Sequence, residues 1–160
     1  MKGILIFLIW LTLTPQAHAR PDASVDDIIN ALTPAPKTRA LTRSLKVEPA
    51  NIDLTINFDF DSAKIKDESK PQLDSLAKAL QTERLATLRF QVEGHTDAQG
   101  TATYNDALSA RRAASVVTFL TQAGVDSERL RFTGKGFREL LEPSDPKSAT
   151  NRRVRILTLE

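Results

Sequence analysis

The segment GHTDAQGTATYNDALSARR, from Gly94 to Arg112, decides how this 160-residue chain is organised. It follows alternating apolar residues at Leu88, Phe90 and Val92, which predict a strand, and it continues into a long helical pattern. The end of a strand, a loop and the start of a helix therefore meet here. Functional sites are often built at such junctions, because loops carry the chemistry and rigid elements hold it in place.

Two charged side chains of this segment are suited to binding a small zwitterion. Asn105 and Arg112 are about two helical turns apart on one face, so Arg112 extends back toward the loop that holds Asp97. A carboxylate and a guanidinium group a few ångströms apart can bind the ammonium and the carboxylate of one ligand, such as an amino-acid head group. The alternative is that Asp97 and Arg112 form a simple internal ion pair.

Seven motifs of the chain, taken together, resemble one known family. They are Phe58-Asp59-Phe60-Asp61, Gly94-His95-Thr96-Asp97, Tyr104-Asn105, Leu108-Ser109, Arg111-Arg112-Ala113, Gly134-Lys135-Gly136 and Asn151-Arg152-Arg153-Val154. In order and spacing they resemble the OmpA-like peptidoglycan-binding domain, which also occurs in the Pal lipoprotein and the MotB stator protein. The resemblance implies non-covalent binding of peptidoglycan through the diaminopimelate residue of its stem peptide.

The resemblance also implies roles for residues of the central segment. Asp97 corresponds to the family's aspartate and would bind the ammonium group of diaminopimelate, while Arg112, rather than Arg111, would bind the adjacent carboxylate. Thr96 and Asn105 would supply neutral hydrogen bonds. The structural alternative for Asn105 is that it is an ordinary residue of the first helical turn.

Two other motifs would complete the binding site. Asp59 and the backbone after Phe60 would form the opposite wall, and Arg152 or Arg153 would lie at the rim. Asp59 could instead bond nearby backbone amides, and the two arginines could simply pack against the sheet.

The hydrophobic patterns predict an α+β two-layer sandwich over residues 51–160, with the element order β-α-β-α-β-β and helices on one face of a mixed sheet. The predicted elements are a strand at 52–58, a helix around 73–80, a strand at 88–93, a helix from about 103 to 122, a strand at 130–133, a helical turn near 148–151 and a strand at 154–159. Ser69 and Thr103 are each predicted to open a helix through a capping box, and Gly124 to end one in a left-handed cap.

The first residues have the pattern of a secretory signal peptide. Lys2 provides a positive charge, residues 4–13 are mostly apolar, and Ala17-His18-Ala19 provides a cleavage site. We therefore expect removal of residues 1–19 and a soluble periplasmic protein on the cell wall, with peripheral association with the outer membrane left open. The alternative is an uncleaved anchor. The chain has no cysteine to carry a lipid and no second apolar run of membrane-spanning length.

Residues 20–50 are predicted to form an arm or linker. Four prolines interrupt this stretch, and its one helical pattern begins at Ser24, an N-cap candidate followed by acidic residues. Whether the arm packs on the domain or binds an envelope protein partner is open from the sequence. The alternative function is accordingly an envelope scaffold, in which the arm binds a partner and the folded domain is a platform.

Composition and residue types argue against other classes of function. With 22 basic and 20 acidic residues the chain has no basic stripe for nucleic acid. After signal cleavage His95 is the one histidine, and nothing in the sequence places Ser109 against it as a nucleophile. His95 and Asp97 supply two ligands where zinc usually takes three or four, and Asp59 with Asp61 are read as turn residues rather than a hydrolytic pair. We therefore predict no enzymatic activity, no metal and no cofactor, with His95 orienting the loop.

Overall fold

Helices and strands alternate along the chain in the computed structural model, which describes residues 23–35 and 49–159. Within these ranges the elements are α1 (Val25–Leu32), β1 (Asn51–Leu54), α2 (Lys70–Leu80), β2 (Arg89–His95), α3 (Ala102–Gln122), β3 (Leu130–Gly136) and β4 (Val154–Leu159). Short 3-10 turns precede α2, β3 and β4. The predicted signal segment, residues 1–19, lies outside the described residues.

The strands form one mixed sheet in the order β1-β4-β2-β3. Strand β4 is antiparallel to both β1 and β2, whereas β2 and β3 are parallel. Every second residue of β2 and β4 is buried against the helices, as Phe90, Val92 and Ile156 illustrate. The predicted α+β sandwich with helices on one face of a mixed sheet is therefore confirmed.

The helices cover one face of the sheet and enclose a single apolar core. Helix α3 lies on β2 and β3, and α1 lies beside α2 and reaches β1 and β4. The largest fully buried side chains are Phe90, Ile28, Leu32, Leu54, Leu73, Leu76, Leu80, Leu85, Leu120, Ile156, Val92 and Val116. Within the described residues, no helix combines the length and the apolar character needed to cross a membrane.

Helix α1 lies within the predicted arm but belongs to the packed domain. Ile28 and Leu32 are completely buried in the core. Two hydrogen bonds add to this packing, because the Thr158 hydroxyl donates to the Leu32 carbonyl at 2.7 Å and the Gln72 amide donates to the Ala23 carbonyl at 3.1 Å. Residues 23–32 are thus part of the structure that positions the sheet.

The predicted helix ends are confirmed at two positions. Ser24 caps α1 and forms a capping box with Asp27. Gly124 follows α3 with a positive φ of 96°, a left-handed conformation that glycine adopts at little steric cost.

Both predicted capping boxes in the folded domain are wrong, although Ser69 occupies the N-cap position at which α2 begins, as predicted. The Ser69 side chain makes no capping bond; its hydroxyl instead accepts a hydrogen bond from the backbone amide of Asn57 at 2.8 Å. Helix α3 is capped by Thr101, which accepts from the amide of Tyr104, and not by Thr103. In both cases the neighbouring loop determines which side chain caps the helix, and the local sequence pattern does not.

Two strands differ in length from the prediction. Strand β1 ends at Leu54, and the chain beyond it turns back on itself, so that Phe58 forms only an isolated bridge with Ile65. Strand β3 continues to Gly136 because it pairs with β2 along its whole length, with an irregularity between Gly94 and His95.

The face of the sheet opposite the helices carries charged residues. Asp53 accepts hydrogen bonds from Arg153 Nε at 2.8 Å and from Arg155 Nε at 3.0 Å. The Asp53 and Arg153 side chains are almost completely buried, and Arg153 also donates to the backbone carbonyl of Glu139. The loop that follows β3 is thereby held against this face.

Candidate functional site

An open cleft of about 510 Å³ lies where β2 ends and α3 begins. It is lined by Phe58, Asp59, Phe60, Asp61, Thr96, Asp97, Gln99, Tyr104, Asn105, Leu108, Arg112 and Arg152. All six residues predicted for the ligand site are among them. The structure therefore brings the predicted residues into one cleft, and their role in binding stays a prediction.

Asp97 is the carboxylate at the centre of the cleft, and only 7% of the residue is exposed. One of its oxygens, Oδ1, accepts a hydrogen bond from the backbone amide of Gln99 at 3.1 Å. The other, Oδ2, accepts from Arg152 Nη1 at 2.7 Å and more weakly from Gln99 Nε2 at 3.4 Å. Because an ionised carboxylate has about four acceptor positions, Asp97 retains capacity for a further donor.

Arg112 is held on the other side of the cleft through its Nε, and its outer nitrogens make no hydrogen bond to the described residues. Its Nε donates to the Ser62 carbonyl at 3.0 Å, and its guanidinium carbon lies 4.9 Å from the centre of the Phe58 ring. Burial lowers the pKa of Arg112 from its usual high value, and nearby Asp97 and Tyr104 oppose that effect. Within the described residues, no ion pair joins Arg112 to Asp97, so the pair does not neutralise itself.

The two adjacent arginines of the Asn151-Arg152-Arg153 motif point to opposite sides of the sheet. Arg152 turns into the cleft and pairs with Asp97. Arg153 turns to the charged face and pairs with Asp53. This alternation is expected of residues entering a strand. It places Arg152 in the cleft, whereas Arg153 stabilises the sheet through its ion pair with Asp53.

The neutral residues Thr96 and Asn105 differ in how far their side chains are already used. The Thr96 hydroxyl is buried and has no hydrogen-bond partner within the described residues. The Asn105 amide nitrogen instead donates to the carbonyls of Gln99 at 2.7 Å and Thr101 at 3.2 Å. Asn105 therefore holds the loop that leads into α3, whereas the Thr96 hydroxyl lies beneath the surface of the cleft with its hydrogen-bonding capacity unused by the described residues.

The wall opposite Asp97 is formed by the turn between β1 and α2. Asp59 lies 3.5 Å from the Lys64 ammonium group, and its side chain is about half exposed. Asp61 has a positive φ of 48° and accepts a hydrogen bond from the Tyr104 hydroxyl. Phe60 is 98% exposed at the tip of this turn.

Close packing of α3 against the sheet brings the two sides of the cleft together. A Cβ atom at Gly94 would lie 2.1 Å from the Ser109 carbonyl oxygen, and one at Gly134 would lie 2.5 Å from the Ala110 nitrogen. Only glycine allows the helix backbone to approach this closely. The first half of α3, with Arg112, therefore sits directly beside β2, and Asp97 follows in the loop two residues after the end of that strand.

Ser109 is engaged in this packing and is not poised as a nucleophile. It is fully buried, donates to the Asp106 carbonyl at 3.0 Å, and accepts from the Gly136 amide at 2.9 Å. The ring nitrogens of His95 make no hydrogen bond to it or to any other described residue. Among the described residues, His95 therefore does not serve as a base for Ser109.

Tyr104 and Gln99 are cleft residues that the sequence prediction missed. Tyr104, Leu108 and Arg112 are spaced four residues apart, which places them in one row on the helix. That spacing was sufficient to add Tyr104 and Leu108 to the site. Gln99 carries no such signal, because its contact with Asp97 depends on the shape of the loop.

The fold and the cleft define a small α+β binding domain with one buried carboxylate between two arginines. The chain belongs to the OmpA family, whose model matches residues 57–154. The chain is 33% identical over 149 residues to outer membrane protein Omp38 of Acinetobacter baumannii, covering 90% of this chain and 40% of that protein. It is 38% identical over 104 residues to the peptidoglycan-associated lipoprotein of Pseudomonas aeruginosa, covering 64% of this chain and 60% of that protein.

Solved structures support the same assignment. The peptidoglycan-associated lipoprotein of Burkholderia pseudomallei is 27% identical with a TM-score of 0.56, covering 65% of this chain and 88% of that chain. The OmpA-like domain of FopA1 from Francisella tularensis shares the fold at 22% identity with a TM-score of 0.59, covering 72% of this chain and 76% of that chain. The chain spans less than two thirds of the length of the curated relatives it matches, for example 40% of Omp38 and 60% of the lipoprotein.

Proposed function

We propose that this protein binds cell-wall peptidoglycan non-covalently in the periplasm, by recognising the diaminopimelate residue of the stem peptide. The observation that carries the proposal is the position of Asp97 between Arg112 and Arg152 in one open cleft. Relatives whose names describe them as peptidoglycan-associated lipoproteins support the same conclusion.

The charges of the cleft match the free end of a diaminopimelate side chain, where one carbon carries an ammonium group and a carboxylate. The ammonium group would donate to the acceptor positions that Asp97 retains. The carboxylate would accept two parallel hydrogen bonds from the outer nitrogens of Arg112, whose Nε is already fixed by Ser62. The buried Thr96 hydroxyl would supply a neutral hydrogen bond.

Arg152 would take part in binding without leaving Asp97. It uses Nη1 for the ion pair, so its other nitrogens can donate to the ligand carboxylate. Its side chain is 46% exposed, however, and exposed charges contribute less than buried ones. We therefore expect loss of Arg152 to weaken binding less than loss of Arg112.

The size of the effect follows from the burial of the charges. Removing one partner of a desolvated, hydrogen-bonded charge pair costs about 2 to 5 kcal/mol, and about 1.4 kcal/mol corresponds to a tenfold change in affinity. We expect Asp97→Asn and Arg112→Gln each to weaken binding by roughly thirtyfold or more. The matched control is Arg111→Gln, because Arg111 is the exposed neighbour of Arg112.

The test is sedimentation of the purified protein with isolated cell-wall sacculi, with circular dichroism to verify that each variant is folded. Two kinds of sacculi are compared: diaminopimelate type, and lysine type, in which the side chain carries an ammonium group but no carboxylate. We expect the wild type and Arg111→Gln to bind diaminopimelate-type sacculi. We expect Asp97→Asn and Arg112→Gln to lose this binding. No binding by the wild type would refute the function, and equal binding to both kinds would refute recognition through diaminopimelate.

We further propose that the protein acts by binding and not by catalysis.

Helix α1 uses its apolar residues Ile28 and Leu32 inside the domain, so this part of the arm is not free to bind an envelope partner through them. Residues 36–48 lie outside the described residues, and the scaffold alternative therefore rests on that segment.

A further inference from the structure

A second polar cluster lies on the charged face of the sheet, opposite the helices. Glu93 and His95 are on β2 and point to the same side, and Glu139 is in the loop after β3. One ligand atom from each of the three residues lies within 4.8 Å of the others. In the part of the chain that the structure describes, this is the one group of three or more acidic or histidine residues close enough to hold a metal ion.

The histidine of this cluster is the unusual member. His95 is only 2% exposed, and both of its ring nitrogens are buried without a hydrogen-bond partner within the described residues. Its Nε2 faces Glu93 Oε2 at 3.8 Å, which is longer than a hydrogen bond. A buried polar group without a partner is costly, so an imidazole left in this state calls for an explanation.

The two carboxylates share a single ammonium group. Lys135 Nζ lies 3.3 Å from Glu93 and 2.9 Å from Glu139. The Lys135 side chain is 29% exposed and Glu139 is 45% exposed, so both can rotate toward solvent. Glu139 Oε2 also lies 3.7 Å from Arg155 Nη1, so Lys135 and Arg155 together supply positive charge to the carboxylates, but neither cation donates to the His95 ring.

We propose that Glu93, His95 and Glu139 bind one divalent transition-metal ion, which replaces the ammonium group of Lys135. The metal would take one oxygen from each glutamate and Nε2 from His95, which would satisfy the unpartnered imidazole. Ligand atoms around zinc are closer together than 4.8 Å. Rotation of the half-exposed Glu139 side chain would bring its carboxylate oxygen closer to the other two ligand atoms.

The ligand types favour zinc over magnesium or calcium. Imidazole nitrogen suits transition metals, and zinc sites with one open position commonly use three protein ligands drawn from histidine and glutamate. Magnesium and calcium prefer oxygen ligands, and a buried nitrogen on one side of the site disfavours them. The cluster and the cleft share no side chain, but His95 directly precedes Thr96 of the cleft in the chain.

The experiment is titration of the purified, untagged protein with ZnCl₂ by calorimetry, in a His18→Gln background that leaves His95 as the one histidine. Long-range ¹H–¹⁵N NMR spectra report the state of the His95 ring. The variants are Glu139→Gln, which removes a half-exposed ligand and should fold normally, and Lys135→Met, which removes the competing charge. The control is Glu142→Gln, because Glu142 is exposed in the same loop and accepts from Ser144 instead.

We expect one equivalent of Zn²⁺ to bind and to shift the His95 ring signals. Glu139→Gln should bind at least tenfold more weakly, Lys135→Met at least tenfold more tightly, and Glu142→Gln like the parent protein. Absence of stoichiometric binding would overturn the proposal, as would binding that leaves the His95 signals unchanged. Equal affinities of the parent and Glu139→Gln, or of the parent and Lys135→Met, would also overturn it.

Discussion

Replacement of Leu32 in α1 by alanine tests whether the predicted arm is part of the folded domain. The Leu32 side chain is completely buried, and its carbonyl accepts a hydrogen bond from Thr158 in β4. A buried Leu→Ala change costs about 2 to 5 kcal/mol, depending on how far the cavity collapses. Since a domain of this size is stable by about 5 to 15 kcal/mol, Leu32→Ala should remove a large part of the free energy of unfolding.

The assay is equilibrium unfolding in urea, followed by circular dichroism. The matched control is Asn30→Ala on the exposed side of α1, where the side chain makes only an exposed hydrogen bond to Arg84 at 3.2 Å. We expect the control to change the free energy of unfolding by no more than about 0.5 kcal/mol. If Leu32→Ala unfolds at the same urea concentration as the wild type, α1 does not contribute to the core in solution and the reasoning is wrong.

Two further substitutions test the packing that positions the cleft and the charged face. Gly94→Ala places a Cβ atom 2.1 Å from the Ser109 carbonyl, so we expect a loss of about 1 to 3 kcal/mol in urea unfolding and weaker sedimentation with sacculi as α3 shifts. Asp53→Asn leaves the buried Arg153 guanidinium group without a full negative charge, and we expect about 3 to 5 kcal/mol of destabilisation by the same measurement. An unchanged urea midpoint for either variant would contradict the packing that the variant tests.

The elements that sequence patterns predicted well are those whose structure is determined locally. The apolar residues of α2 and α3 recur every three or four positions, and those of β2 and β4 alternate, so their type and approximate bounds followed from periodicity. Residues of the cleft could be predicted from the sequence for a similar reason. Asp97 and Arg112 are close in sequence, and the motifs that contain Asp59 and Arg152 resemble those of a known domain.

The features that were mispredicted depend on contacts between distant parts of the chain. The Ser69 hydroxyl bonds the amide of Asn57 instead of capping its own helix. Thr101 and Thr103 are equally good caps by residue type, and Thr101 is selected because the loop before α3 is held by Asn105.

The ion pairs across the sheet also could not be predicted from the sequence. Asp53 and Arg153 are 100 residues apart, and nothing in either motif points to the other. The pairing of Asp97 with Arg152 in place of Arg112 has the same origin, because it depends on the side to which Arg152 points just before the chain enters β4.

The position of β4 in the sheet has a consequence for how the domain folds. This strand is the last in the chain, yet it lies between β1 and β2 and pairs Asn51 with Leu157. Strand β1 has no sheet neighbour until Val154–Leu159 has been synthesised, and loops closed over such distances make folding slow. A nascent chain that ends before β4 therefore lacks the strand that joins the two halves of the sheet, and β1 cannot enter the sheet until the last residues of the domain are available.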